Sequence, residues 1–288
     1  MAKSRSDKIA FQGEPGANSH LAALDAYPRL EPLACPTFED ALAAVKNGRA
    51  KLAMIPIENS VAGRVADIHH LLPHSRLHIV AEHFERVRHQ LLTLPGVKLP
   101  ELKTVHSHIM ALGQCRGVIR ALKLKPVAEA DTAGAARHLR ESGERSSAVI
   151  ASKLAAKIYG LKVARADIED AEHNTTRFVV LATKPGRVKK SDGPVITSFV
   201  FRVRNVPAAL YKALGGFATN GVTMTKLESY QLEGSFNATM FYADIEGHPD
   251  EPLVKLAMED LNFYSSEVTV LGTYPASPFR AELKALAR

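Results

Sequence analysis

The chain has 288 residues, enough for two or three compact units, and its 46% hydrophobic and 23% charged content is ordinary for a globular protein. Its formal charge of +7 is scattered, with Lys189-Lys190 the longest lysine run and no Trp, which argues against nucleic acid and for a general attraction of anionic metabolites. No stretch approaches membrane-spanning length, residues 1–8 precede no leader-like apolar core, and Cys35 and Cys115 form no disulfide or metal pattern, so a cytoplasmic protein without membrane partners is expected.

In chain order, β-rich runs alternate with alanine-rich helical patterns. Strands are predicted at 8–12, 52–57, 78–87, 89–94 and 148–151, and helices at 18–27, 37–47, 110–122, 132–141 and 152–159. That alternation predicts an α/β sheet architecture. Residues 86–94 read as a crossing between two lobes with a return near Asp170, which would leave a ligand cleft between them. A polar, turn-rich stretch ending at Pro194 reads as a linker over 185–194. Beyond it the order becomes β-α-β-β-α-β, with strands at 195–203, 222–230, 235–245 and 267–274, helices at 207–217 and 252–261, and a turn at 232–234. This is the ferredoxin-like order.

The chemistry concentrates in a few segments. Asn174-Thr175-Thr176-Arg177-Phe178-Val179-Val180 puts two hydroxyls and a fixed cation at the mouth of an apolar strand. Arginine forks onto carboxylates and a hydroxyl donates to a second oxygen, so the implied ligand is a small oxygen-rich anion. Glu58-Asn59-Ser60 follows an apolar run and should emerge at a strand's end, where open α/β sheets place ligands. Gly13-Glu14-Pro15-Gly16 precedes a helix opening near Asn18 or Ser19, a natural anion seat. Thr132 opens another helix, where capping explains it as well as substrate contact does. The pairs His69/His70 and His106/His108 lack the spacing of a helical zinc site, so no metal and no cofactor are expected. Ser107 between His106 and His108 lacks the elbow of a hydrolase nucleophile, and His106 is either a hydrogen-bonded structural residue or a contributor to proton balance.

Four separated segments in one order carry a resemblance: residues 11–20 (Phe-Gln-Gly-Glu-Pro-Gly-Ala-Asn-Ser-His), residues 55–60 (Ile-Pro-Ile-Glu-Asn-Ser), Val105-His106-Ser107-His108 with Gln114-Cys115, and Asn174-Thr175-Thr176-Arg177-Phe178. The chain resembles the prephenate dehydratase family with a C-terminal ACT regulatory domain, over nearly all of residues 9–274. The resemblance implies a two-lobed α/β catalytic part of the type 2 periplasmic-binding architecture at 1–184, with lobe 1 at about 8–86 and 170–184 and lobe 2 at about 87–169, followed by an ACT domain at 195–288. It implies decarboxylating dehydration of prephenate to phenylpyruvate in L-phenylalanine biosynthesis. Thr176, Asn59, Ser107, Gln114 and Glu58 would form the catalytic set. Arg177, Thr175, Phe178, Ser60, Gly16, Ser19 and Thr132 would bind substrate.

Within that frame the two substrate carboxylates need opposite treatment. The ring carboxylate leaves as CO2, so gripping it as an anion would work against the transition state, and Arg177 is better placed on the pyruvyl carboxylate. Thr176 would donate to the departing hydroxyl, although a threonine is too weak an acid to protonate it outright. Glu58 is a candidate proton relay if burial raises its pKa. Effector contacts would come from Pro207-Ala208-Ala209-Leu210 and Leu227-Glu228-Ser229, with L-phenylalanine bound between paired ACT domains of a homo-oligomer, a dimer or tetramer. Ala208 stands where the family usually has glycine, and Tyr230-Gln231 where it usually has arginine-proline. Arogenate dehydratase and a non-catalytic aromatic-acid binding protein are the rival functions.

Overall fold

The computed structural model describes residues 7–204, 206–231 and 238–286, so the turn expected at 232–234 lies outside the described residues. The first sheet is built from β1 (Lys8–Gln12), β2 (Glu31–Cys35), β3 (Leu52–Asn59), the two-residue β4 (Gly63–Arg64), β5 (His78–Arg86) and the returning β11 (Thr175–Ala182), with α1 (Asn18–Ala26), α2 (Phe38–Lys46) and α3 (Ala66–His74) between its early strands. Its order is β2-β1-β3-β11-β5, with β4 paired to β3. The second sheet, in order β10-β6-β9-β7-β8, comprises β6 (Gln90–Thr93), β7 (Thr104–His108), β8 (Lys125–Glu129), β9 (Ser147–Ala151) and β10 (Lys162–Arg165). Its helices are α4 (Ile109–Gln114), α5 (Arg116–Ala121), α6 (Thr132–Ser142) and α7 (Lys153–Tyr159). The chain thus leaves the first sheet after β5, builds the second, and returns as β11 into the middle of the first. This is the expected two-lobed arrangement of discontinuous type.

Physical patterning accounts for these elements. All five residues of β9 are buried, the signature of a strand covered on both faces. One side of the second sheet packs Val105, Ala148 and Ile150 on α4 and α5, and the other packs Val149 and Ala151 on α6 and α7. Thr37 caps α2 by accepting from the Asp40 amide at 3.1 Å, and Gly143 ends α6 in the left-handed region at φ 66°. The single helix expected at 110–122 is two. Cys115 leaves helical geometry at φ −127°, and the next two amides, Arg116 and Gly117, donate to the Asp170 carboxylate at 2.8 and 3.0 Å.

The C-terminal strands β12 (Val195–Val203), β13 (Met224–Gln231), β14 (Ala238–Glu246) and β15 (Ser265–Pro275) form a sheet in order β13-β14-β12-β15. With α8 (Ala209–Thr219) and α9 (Pro252–Tyr264) this is the expected βαββαβ topology, and α10 (Phe279–Leu286) follows it. Phe199, Phe201, Phe217 and Phe241 stack in its helix-side core.

Compact packing divides the chain into residues 1–65 with 83–178, and residues 66–82 with 179–288. Within the second unit α3 and residues 78–82 pack with the C-terminal sheet. The His69 ring meets Tyr242 edge-on at 5.1 Å and His70 meets Tyr230 at 5.4 Å. A Cβ at Gly272 would sit 2.1 Å from the Ile79 carbonyl oxygen, so only glycine permits that approach. Ser198 donates to Asp244 and accepts from the Tyr242 hydroxyl at 3.2 Å, with the Tyr274 hydroxyl 2.6 Å away, satisfying a fully buried carboxylate.

Candidate active site

A cleft of about 330 Å³ opens within the first unit. Its floor comes from the ends of β1, β3 and β11, and its far wall from α4 and the start of α6. Of the expected residues, Ser19, Asn59, Gln114, Thr132, Thr176 and Phe178 line it.

Two backbone amides set the direction of every polar group in the centre. Val61 and Ala62 donate to Asn59 Oδ1 at 3.0 and 2.8 Å, which forces Asn59 Nδ2 to the other side. That amide donates to Thr176 Oγ1 at 2.9 Å and to Asn174 Oδ1 at 2.8 Å. Asn174 Nδ2 then donates to Gln114 Oε1 at 3.0 Å, and His89 Nε2 donates to the same oxygen at 2.9 Å. Two consequences follow. Thr176 spends a lone pair on Asn59 and keeps its own proton to donate, while Gln114 turns its amide nitrogen away from its occupied oxygen as a further donor.

Burial lowers the His89 pKa, against smaller opposing effects from its Gln114 hydrogen bond and from Glu169. The folded state therefore favours the neutral ring. Stability should be complete above the free imidazole value of about 6.5 and decline as pH falls below it, because only the unfolded chain takes up that proton freely. Thermal denaturation between pH 7.5 and 5 checks this, with His89→Gln flattening the loss; an unchanged midpoint across that range in the parent protein would remove the idea. His20, also lowered by burial, contributes with the same sign.

Among the described residues no lysine or arginine lines the cleft. Its anion-binding capacity comes instead from α1, whose N-cap residue, Ala17, provides no side-chain hydrogen bond, so the first-turn amides beside Asn18 and Ser19 lack a side-chain cap at the cleft wall. Asp131 caps α6 by accepting from Gly134 at 2.7 Å, which leaves Thr132 to line the cleft. The capping alternative for Thr132 thus belongs to its neighbour.

Other expected residues lie elsewhere, for identifiable reasons. Strand alternation turns Thr176 and Phe178 toward the cleft and Arg177 to the opposite face, where it is 3% exposed and donates to Glu58 Oε1 at 2.9 Å. Arg177 and Glu58 therefore pair with each other, away from the cleft lining. Ser107 is fully buried and donates to the Ile150 carbonyl at 2.6 Å, holding β7 to β9. Ser60 clasps β11 by donating to the His173 carbonyl at 2.7 Å and accepting from the Thr175 amide at 2.9 Å, so Thr175 contributes backbone. His106 pairs with Glu129 at 3.0 Å outside the cleft.

Gly16 serves the approach of the two lobes. A Cβ there would lie 2.8 Å from Ala155 Cα, its φ is 97°, and its carbonyl accepts from Ser152 Oγ at 2.5 Å. Tyr159 donates to the Pro15 carbonyl at 2.9 Å, and Arg137 pairs with Glu14 at 3.4 Å. These contacts join the two lobes next to Gly13 and Ala17, which line the cleft.

The prephenate dehydratase family model matches residues 9–186, more than half of the chain. The chain belongs to the prephenate dehydratase family. It is an enzyme, a dehydratase, which sets aside the reading as a non-catalytic binding protein. A bifunctional N-acyl-homoserine lactone acylase/prephenate dehydratase of Komagataeibacter europaeus is 53% identical over 272 residues, 94% of this chain and 97% of that one. Arogenate dehydratase/prephenate dehydratase 1 of Arabidopsis thaliana is 38% identical over 282 residues, 93% of this chain and 72% of that one. The solved prephenate dehydratase of Arthrobacter aurescens, in complex with L-Phe, superposes with a TM-score of 0.84 at 28% identity, covering 97% of each chain.

In this dehydratase, sequence reasoning passed over His89, Asn174 and Asp131 as site residues. His89-Gln90 opens an apolar strand much as Thr175-Thr176 does, and the same argument would have found it. Asp131 carried the ordinary signal of an N-cap.

Proposed function

We propose that the protein converts prephenate to phenylpyruvate in L-phenylalanine biosynthesis. The observation that carries this reading is the Asn59–Thr176 contact, which leaves a hydroxyl proton free at the cleft. The substrate dianion takes up one proton, loses CO2 as the ring carboxylate's C–C bond breaks, and loses water as the ring C–O bond breaks. Thr176 shares its proton with the departing oxygen, Gln114 donates to a substrate oxygen, and the α1 amides hold the carboxylate that survives. Neutral donors suit a carboxylate that must become CO2, since a cation there would stabilise the ground state.

The C-terminal βαββαβ segment is read as an ACT domain at 195–288 that pairs copies of the chain and binds L-phenylalanine, working in the cytoplasm. The catalytic part is taken as residues 1–184 and the linker as 185–194. Ala208 sits at φ 58°, in the left-handed region where glycine is at ease, and its methyl costs about 1 kcal/mol there. Tyr230 is buried, and that burial raises its pKa, so its phenol stays neutral where the family's usual arginine would be charged. Both changes weaken the expected effector site rather than rebuild it.

Paired kcat/KM measurements on prephenate and arogenate, repeated with L-phenylalanine added, test this reading. Prephenate should lead by at least tenfold, and L-phenylalanine should inhibit; a lead for arogenate would reassign the substrate.

A second reading is hydrolysis of an N-acyl amide, the other activity in the name of the Komagataeibacter relative. One observation favours it: an aliphatic groove opens directly beside the cleft.

A further inference from the structure

The groove is larger than the cleft, about 840 Å³ against about 330 Å³, and Ala62, Met110 and Gln114 line both. Away from that shared edge its walls are aliphatic, with Leu112, Ile119, Leu124, Pro126 and Ala128, and among the described residues no aromatic side chain lines it. Val61, Ile109 and Met110, which also line it, are 44%, 60% and 45% exposed, so apolar surface is open to solvent here. Along it stand Arg116, Arg120 and Lys123, and among the described residues no ion pair engages any of the three.

These features select the ligand. An aromatic ring gains from aromatic partners, which the groove lacks, whereas an unbranched chain fills aliphatic walls by dispersion alone. Three unpaired cations beside an apolar trough call for an anionic group attached to that chain. We propose that the groove binds a medium-chain acyl carboxylate, its chain against Leu112, Ile119 and Leu124 and its carboxylate on the Arg116, Arg120 and Lys123 side. The inference rests on the acyl-amide reading for the source of such a chain, since amide hydrolysis adds water across the C–N bond and releases a carboxylate. Its seat rests on the groove.

Calorimetric titration of the full chain with hexanoate, octanoate and decanoate tests it. Binding should saturate at one site and strengthen about threefold to fourfold per added methylene. Ala128→Trp, which fills the trough, and Arg120→Glu, which reverses a charge, should each weaken decanoate at least tenfold. Both positions are exposed, so both variants should fold and keep phenylpyruvate formation within twofold of the parent. Absence of saturable binding, affinity indifferent to chain length, or affinity unmoved in both variants would overturn the site. A parallel assay on N-decanoyl-homoserine lactone separates the two ideas. Binding without hydrolysis removes the acyl-amide reading and keeps the groove; hydrolysis untouched by Ala128→Trp and Arg120→Glu removes the groove and keeps the reading.

Discussion

Under the proposed function, Thr176→Ala is expected to lower kcat for phenylpyruvate formation by about 10²–10⁴-fold, the range of a positioned proton donor, while KM stays within a few-fold. The reason lies in the direction of one hydrogen bond. Because Asn59 Nδ2 donates to Thr176 Oγ1 at 2.9 Å, the hydroxyl proton must point elsewhere, and the residue borders the cleft. Alanine leaves Asn59 with a lost acceptor and the departing hydroxide with no donor. Thr176→Ser restores the hydroxyl but loses the β-branch that restricts its rotamer, so it should recover most of the rate and stay about tenfold below the parent. Steady-state kinetics on the three proteins decides the matter. Equal and small losses in both variants would take Thr176 out of the chemistry.

Arg177→Gln acts on the fold. Arg177 is 3% exposed and Glu58 lies 2.9 Å away, so glutamine removes a buried guanidinium that faces this carboxylate. A loss of about 2–3 kcal/mol is expected, at the lower end for a buried pair because Glu58 keeps 28% of its side chain in solvent. Arg177→Lys should recover part of it, since an ammonium supplies charge without the planar fork. Chemical denaturation measures the loss, and KM of the folded variant should be nearly unchanged. A large rise in KM with full stability would make Arg177 a direct ligand of substrate after all.

These two neighbours show how far the sequence could be read. Polar residues opening an apolar strand pointed to residues 174–178, and a polar group at a strand's end pointed to Asn59; both lie at the centre of the hydrogen-bond relay. What the residue types did not convey was side. Side-chain direction in a strand reverses at each residue, so Arg177 and Thr176 cannot both face one cleft. The same rule separates Ser107 from the cleft. Short strands without an apolar run, such as β2 (Glu-Pro-Leu-Ala-Cys) and β8 (Lys-Pro-Val-Ala-Glu), carried no periodic signal and appear only in three dimensions. The break at Cys115 was invisible because it depends on Asp170, more than fifty residues away. Ala208 is a different case: its backbone lies at φ 58°, a region that glycine adopts more readily than alanine.

The contacts of Gly16 with Ser152 and of Pro15 with Tyr159 bear on how far the two lobes can part. Each of these bonds ties residues 15–16 to residues 152–159 of the other lobe, so any wider parting of the lobes must break them. Carbon dioxide is small and uncharged and can slip out through gaps that an organic anion cannot use. In the proposed reaction CO2 would therefore leave without any such parting, whereas the organic anion would leave more readily once these bonds break.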